Sequence, residues 1–376
     1  MTIKFWEASR DYLAHKEEID EAIQRVLSKG ELILGFSPDI TEFEKSFAEL
    51  VGSKHAIMTG GGTHSLKLAY KVLGIGHGDE VICPSHTFIA TIDQIVDCGA
   101  TPILVDIGED GLIDPKEVAK AITPKTKAII PVHLEGKVCD MELLSFGIPV
   151  IDDSAQSIGA IGNTRGTMSC FSFFPAKILG GVGNGGAVTT NDDKLADRLR
   201  LMRCNGSLGK NPDLNAELGL QLEPDNIQAA VLNVKLKYLK ENLARRQAIA
   251  DMYDEAFNDL PIILPLKQDG RVYQDYVIRV PEHKAELVAH LHAKGVGILG
   301  HNLIPNHHYK ALNHFHLPKT DKYVTEQIRI PCNQSTTNEE IEYIIKTIRE
   351  FYNREKSPGY WWRGFDWVRD MSPTRP

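Results

Sequence analysis

One lysine stands out by its setting. Lys177 follows the run Cys170–Phe174 and Pro175, and five glycines fall between Gly180 and Gly186 before a second β-rich run ends at Thr190. A lysine held between two strands, with Ser172 five residues before it and glycine-rich backbone after it, suits a Schiff-base nucleophile. Glycine is the residue that lets backbone approach closely or turn left-handed there. Taken alone, the stretch reads equally well as a surface lysine beside a Gly-rich hairpin.

Two further segments carry chemistry. Gly60-Gly61-Gly62-Thr63 lies between a strand-like run ending at Thr59 and a helical run, Thr63–Leu73. Free N–H groups and the positive end of a helix dipole make such a turn an anion cup. It is not a P-loop, because no G-K-[ST] follows, and its spacing does not fit a dinucleotide fingerprint. Val150-Ile151-Asp152-Asp153 puts two acids at the C-terminal end of an apolar strand, where open α/β sheets bind ligands. The structural alternative is that one of the acids caps the next turn. No histidine lies within ligand spacing of these acids, and the late histidines (His301, His307, His308, His314 and His316) are irregularly spaced, so no metal site is expected.

These residues need a framework to position them. β-rich runs at His55–Thr59, Glu80–Cys83, Thr101–Asp106, Lys127–Val132, Ile148–Asp152, Ser169–Phe174 and Gly186–Thr190 alternate with helical patterns at Thr63–Leu73, Phe88–Cys98, Pro115–Ile122 and Cys139–Leu144. Such alternation implies crossover units and a large α/β domain with a seven-stranded, mostly parallel sheet. A long helical stretch, Ile227–Phe257, breaks near Leu239 and leads out of that domain. Beyond Pro261 come strands at Gln274–Val280, near Val296–Leu299 and at Glu326–Ile330, with helices at Glu282–Lys294 and Asn338–Asn353: a small C-terminal α+β domain. The expected division is an N-terminal segment to residue 30, a large domain over 31–240, a small domain over 241–355 and an aromatic tail over 356–376.

The bulk numbers restrict partners. The chain has 376 residues and a net charge of −8, which argues against nucleic acid because phosphate-backbone binding needs a basic field. No run reaches the length of a membrane span, and Met-Thr-Ile-Lys-Phe-Trp-Glu has no apolar signal core. Six cysteines are spread singly, several in apolar strands, so reduced core thiols in a cytoplasm are expected.

The motifs G-T-H-S-L (62–66), G-D-E-V-I-C-P-S-H-T-F-I-A-T (78–91), T-P-K-T-K-A-I-I-P-V-H (123–133), V-I-D-D-S-A-Q (150–156), F-S-F-F-P-A-K (171–177) and G-G-A-V-T-T-N-D (185–192) occur in register, from Phe36-Ser37-Pro38-Asp39 to Gln228-Ala229-Ala230. Together they resemble the DegT/DnrJ/EryC1/StrS family of sugar aminotransferases, enzymes of the fold type I pyridoxal-phosphate class, over about residues 5 to 353. The resemblance implies pyridoxal 5'-phosphate, alternating with its pyridoxamine form, joined to Lys177. Asp153 would meet the pyridine nitrogen and keep the ring protonated. Gln156 would lie by the ring's 3-oxygen, and Phe88 would stack on its face. Gly62, Thr63, His64 and Ser172 would hold the phosphate. It also implies a homodimer whose sites are shared, with Gln221 reaching the cofactor phosphate of the other subunit. The substrates would be a nucleotide-linked keto sugar and L-glutamate. Gly300-His301-Asn302-Leu303-Ile304-Pro305-Asn306-His307 resembles the family's H-Y-P-x-x-x-H loop, so His301 and His307 would touch substrate. His133, ending its strand, would approach the sugar for the topological reason given above.

The chain also departs from the family. Gly61-Gly62-Thr63 stands where Ser-Gly-Thr is common, His86 where tyrosine is frequent, and Asn184 where an acid is usual. Glu223 stands where the family carries arginine, and a reversed charge there repels an anion. The family's sugar dehydratases carry histidine at the position of Lys177, so the lysine favours transamination. The form F-P-A-K-x-L-G leans toward amination at C3 over C4 of the sugar. A sugar dehydratase and a non-catalytic sugar-sensing regulator of the same fold are the alternatives. The tail, with Tyr360, Trp361, Trp362 and Trp367, is expected to dock on the body or on a partner.

Overall fold

The computed structural model describes residues 1–32, 38–206, 218–299 and 304–355, with 354 and 355 by backbone alone. His301, the first residues of the family resemblance and the aromatic tail lie outside the described residues. Seven strands build the large sheet: β1 (His55–Thr59), β2 (Glu80–Pro84), β3 (Thr101–Val105), β4 (Thr126–Ile129), β5 (Ile151–Asp153), β6 (Met168–Ser172) and β7 (Gly186–Thr190). They pair in the orders β1-β7-β6-β5 and β3-β2-β4. Parallel bridges from Ile129 to Val150 and from Val132 to Asp153 join the two halves.

All pairings are parallel except those of β7, which runs antiparallel to β1 and β6. The cause is local. Residues 173–185 return the chain without a crossover helix, so β7 must run back against β6. That return carries Lys177.

Helices cover both faces. α1 (Ala8–Ala14), α2 (Lys16–Lys29) and α3 (Pro38–Val51) precede the sheet. α4 (Gly62–Leu73), α5 (Ala90–Asp97) and α6 (Pro115–Ala121) connect its first strands. α7 (Asp193–Arg203), α8 (Asn226–Leu236) and α9 (Leu239–Phe257) follow it, with the break near Leu239 where the sequence placed it. The ends obey ordinary capping rules. Asp192 accepts from the N–H groups of Lys194 and Leu195 at the start of α7, and Gly74 closes α4 at φ 76°.

Strand parity sorts side chains between the two faces. Met168 and Cys170 of β6 join the core beneath α4, α5 and α7, with Leu66, Ile92 and Leu199. Phe171 and Phe173 join the opposite core, where Phe43 and Phe47 of α3 meet them edge-on at 5.0–5.1 Å. Ser172 therefore faces α4, and Asp153 shares the face of Ile151 in the same core.

The small domain pairs β8 (Tyr276–Arg279) with β9 (Gln327–Ile330) antiparallel, flanked by α9, α10 (Lys284–Ala293), α11 (Pro318–Glu326) and α12 (Asn338–Glu355). Its core unites Tyr253, Phe257, Tyr276, Ile278, Ile328, Ile330, Ile341 and Ile348, and Ile3 from the N-terminus joins it. The expected strand near Val296–Leu299 reduces to single bridges, Ile3 with Val296 and Leu299 with Arg329.

One expected helix is absent. Residues 141–144 form turns, because Asp140 accepts from the N–H groups of Glu142 and Leu143, and Cys139 N–H is held by His133 Nδ1 at 3.1 Å. A six-residue segment tied at its start gains nothing from helix propagation. All six cysteines are buried and unpaired.

Gly136 ties two distant segments of the chain: its carbonyl accepts from Val272 N–H at 3.0 Å, and at φ 86° an added Cβ would lie 2.0 Å from the Val272 carbonyl oxygen. Gly136→Ala is expected to cost about 3 kcal/mol, from left-handed strain and forced backbone movement together. A urea titration reads this as a lowered midpoint; an unchanged midpoint would show that the contact yields freely.

Candidate active site

Lys177 sits on a return loop pinned from several sides. Phe173 N–H bonds Gly185 O at 2.7 Å, Lys177 N–H bonds Phe174 O at 2.8 Å, and Gly181 N–H bonds Phe173 O at 2.8 Å. The side chain of Gln274 clamps the loop by accepting from Ile178 N–H and donating to Ala176 O. A Cβ on Gly180 would lie 2.3 Å from Pro175 O, so only glycine closes the turn this tightly. Lys177 reaches a cavity of about 600 Å³ whose wall includes Gly62, Thr63, His64, Phe88, Asp153, Gln156, Ser172 and Arg329. Removal from water pushes its pKa below the ordinary lysine value. Asp275 and Asp153 oppose that shift, and Arg329 adds to it. A lysine so placed yields the neutral amine more readily.

The two acids separate by strand parity. Asp153 faces the cavity and accepts from Thr91 Oγ1 at 2.8 Å and from Ala155 N–H at 3.2 Å. Burial raises its pKa, against these hydrogen bonds and Lys177. Asp152 points away and accepts from Gly166 N–H and Ser169 Oγ, each at 2.8 Å. Burial pushes its pKa to about 7. Asp153 is the acid that a cation in the cavity would meet, and Asp152 is a structural neighbour.

The anion cup forms as its residue types suggest. Gly61 precedes α4 without a side-chain cap, so the first N–H groups of α4 face the cavity. An added Cβ on Gly62 would lie 2.7 Å from Ser172 Cβ, so the helix start rests directly on that serine. His64 Nδ1 is buried without a hydrogen-bond partner, and burial lowers the ring's pKa. An orphaned ring nitrogen, open helix N–H groups and a serine hydroxyl together fit a phosphate. At the other side, Gln156 Oε1 accepts from Glu135 N–H at 2.8 Å, which leaves its amide N–H groups for a ring oxygen. Asp153 fits a protonated ring nitrogen. The residues present therefore fit pyridoxal phosphate.

Phe88 stands on the cavity rim, 62 % exposed. Gln221 is exposed, bridges to Cys204 and does not line this chain's cavity. Glu223 is exposed too, and its carbonyl oxygen packs against Gly60.

Two residues expected to touch substrate do not line this chain's cavity. His133 is fully buried, accepts from Cys139 N–H and turns its Nε2 toward Asp152 at 3.9 Å. Its neighbours Val132 and Leu134 line the cavity, and its own ring does not. His307 is buried against Ser85 Oγ at 2.8 Å and Asp321 at 3.1 Å, with His308 also on Asp321 at 2.7 Å. These three side chains bring their donor atoms within 4.8 Å of one another, away from the cavity wall.

The structure adds residues that sequence reasoning missed. Thr91 carried a motif but no role. Arg329 had one signal, a charged residue alternating with Ile328 and Ile330 on a strand.

The DegT/DnrJ/EryC1/StrS aminotransferase family matches residues 14–349, and the chain belongs to it. A UDP-2-acetamido-2-deoxy-3-oxo-D-glucuronate aminotransferase of Pseudomonas aeruginosa is 36% identical, over 92% of this chain and 99% of that protein. The structure of DesV of S. venezuelae in complex with a ketimine intermediate superposes with a TM-score of 0.88 at 35% identity, covering 94% of this chain and 99% of that one. The structure of NtdA of Bacillus subtilis with bound cofactor PMP gives a TM-score of 0.88 at 28% identity, over 94% and 85% of the two chains.

Two outcomes are expected. Gly62→Ala, by driving α4 off Ser172, weakens pyridoxal phosphate binding about tenfold, roughly 1.4 kcal/mol, in an absorbance titration. Unchanged affinity would place the phosphate elsewhere. Asp153→Asn removes a carboxylate that favours the ammonium, so Lys177 loses its proton at lower pH than in the parent chain. The pH profile of Lys177 acylation in the cofactor-free chain reads the direction, and an upward shift would contradict it.

Proposed function

We propose that this chain is a pyridoxal-phosphate-dependent aminotransferase that turns a nucleotide-linked keto sugar into an amino sugar with L-glutamate as donor. The observation that carries the reading is the placement of Lys177 and Asp153 on one desolvated cavity, where each alters the other's protonation. Bound there, the cofactor supplies the electron sink that lets a carbon bearing nitrogen give up its proton.

The chain's own residues do the rest. Asp153, steadied by Thr91 and the Ala155 N–H, would hold a negative charge for the ring nitrogen. The first turn of α4, with Ser172 and His64, would anchor the phosphate, and Gln156 would orient the ring through its amide. Phe88, on the cavity rim, would cover the ring. Lys177 Nζ takes the proton from the donor's α-carbon and delivers one to the sugar carbon that receives nitrogen. Its lowered pKa suits both duties, since burial eases the loss of the proton that the amine must first shed and later pass on.

The Pseudomonas relative is named for a UDP-linked 3-oxo sugar, which agrees with the lean toward C3. A homodimer with shared sites is part of the reading: Gln221 is exposed outside its own chain's cavity and is free to serve a partner's. Among the described residues no helix is long and apolar enough to cross a membrane. Six unpaired buried thiols agree with a reducing cytoplasm.

Turnover decides the matter. The full chain, loaded with pyridoxal phosphate and given glutamate and a panel of UDP- and dTDP-linked 3-keto and 4-keto sugars, is expected to yield an amino sugar by mass spectrometry. A deoxy sugar in its place would support the dehydratase, and a colourless inert chain the regulator. Lys177→Ala is expected to abolish borohydride-fixed cofactor and to lower turnover by a thousandfold or more, about 4 kcal/mol.

A further inference from the structure

We propose that His307, His308 and Asp321 form a binding site for a divalent transition-metal ion of the zinc type. The site lies apart from the cavity of Lys177, and the inference stands independently of the aminotransferase reading. The two histidines reach it from the short turn Asn306–His308, and the carboxylate comes from α11. Their spacing in the sequence gives no metal-ligand pattern, because the third donor is brought in by the fold.

The donor atoms converge on one point. His307 Nε2 stands 3.1 Å and His308 Nε2 2.7 Å from the same oxygen, Asp321 Oδ1, and the three side chains bring their donor atoms within 4.8 Å of one another. Neither contact is aligned as a hydrogen bond. His307 Nε2 and Asp321 Oδ1 are both buried with no hydrogen-bond partner among the described residues. Leaving such atoms unpaired is costly. Donors at zinc-ligand distance from one tetrahedral ion stand roughly 3.3 Å apart, close to the separations seen here. One ion satisfies all three atoms together, whereas a proton satisfies a single pair.

The ligands are held in place by contacts that need no ion. His307 is only 4% exposed, and its Nδ1 lies 2.8 Å from Ser85 Oγ, which also accepts from the His307 backbone N–H at 3.1 Å. A ring whose Nδ1–H donates to that hydroxyl presents a bare Nε2 to a metal. The Asn306 amide donates to the carbonyls of Ser85 and Thr87, each at 2.8 Å, and fixes the turn. Asp106 fixes the start of α11 through the N–H groups of Lys319 and Thr320 and the Thr320 hydroxyl.

The donor set selects the ion. Two imidazoles and one carboxylate oxygen suit zinc and its first-row neighbours, whereas magnesium and calcium take oxygen ligands. The side chains of His308 and Asp321 are 51% and 37% exposed, so a remaining coordination position opens to water. Off the cavity wall, the ion acts as a clip. It joins α11 to the turn packed on Ser85 and Thr87, next to Phe88 on the cavity rim.

Calorimetry with zinc chloride tests the site on the full chain, stripped of metal by a chelator, with and without pyridoxal phosphate. One equivalent of zinc is expected to bind, and His308→Ala and Asp321→Asn are each expected to weaken it at least about tenfold. Both substitutions fall on partly exposed side chains, so the fold is expected to survive them. Absence of a one-equivalent event overturns the inference, as does a smaller loss in either folded variant. Should the variants fail to fold by their melting curves, the parent decides. Zinc is expected to raise its melting temperature and an excess of magnesium to leave it unchanged, and an equal response to the two ions overturns the site. Cofactor uptake is read from absorbance in the same samples. A chain that takes none counts against the aminotransferase reading, and the cofactor-free titrations still settle the metal site.

Discussion

Asp153 and Lys177 are ionisable groups removed from water on one cavity, and most of the fold serves to keep them there. Burial works against both charges, raising the acid's pKa and lowering the amine's, while each favours the charged form of the other. Such a pair holds only if the walls cannot relax. The stiffness comes from a sheet covered on both faces, with interlocked Phe43, Phe47, Phe171 and Phe173 behind the loop that carries the lysine.

The antiparallel strand β7 is the topological consequence. A crossover helix between β6 and β7 would carry residue 177 out across a face of the sheet. The short return instead keeps it at the strand ends, beside Asp153 at the end of β5. Ligands in open α/β sheets gather at that edge. The start of α4 meets it from the same side because Ser172 and Gly62 touch without an intervening Cβ.

The small domain contributes charge to the cavity. Arg329, Asp275 and Gln274 all come from β8, β9 or the residue pair before them, and all act on the lysine loop or its electrostatics. Glu135, Lys137, Tyr323 and Arg271 make a buried polar cluster alongside, in which Glu135 is held near 2 by its cationic neighbours despite burial. Buried charges of this kind add little net stability over apolar packing.

Much of this was legible in the residue order. Alternating apolar periods give the seven strands and their crossovers, the glycine turn gives the anion cup, and the lysine with its serine and glycines gives the nucleophile, because each signal is local in sequence and set by backbone sterics and hydrogen bonding. What only the tertiary structure decided is which side of the sheet each side chain meets. Asp152 and Asp153 differ by one step of a strand, and the pleat sends one to Ser169 and the other to the cavity. His133, expected beside the sugar from its strand-end position, and His307, expected there from its motif, are both buried in the interior, whereas Arg329 is brought to the cavity by a strand that lies 152 positions beyond Lys177. Contacts between such distant segments depend on how two domains pack, and local preference carries no record of that.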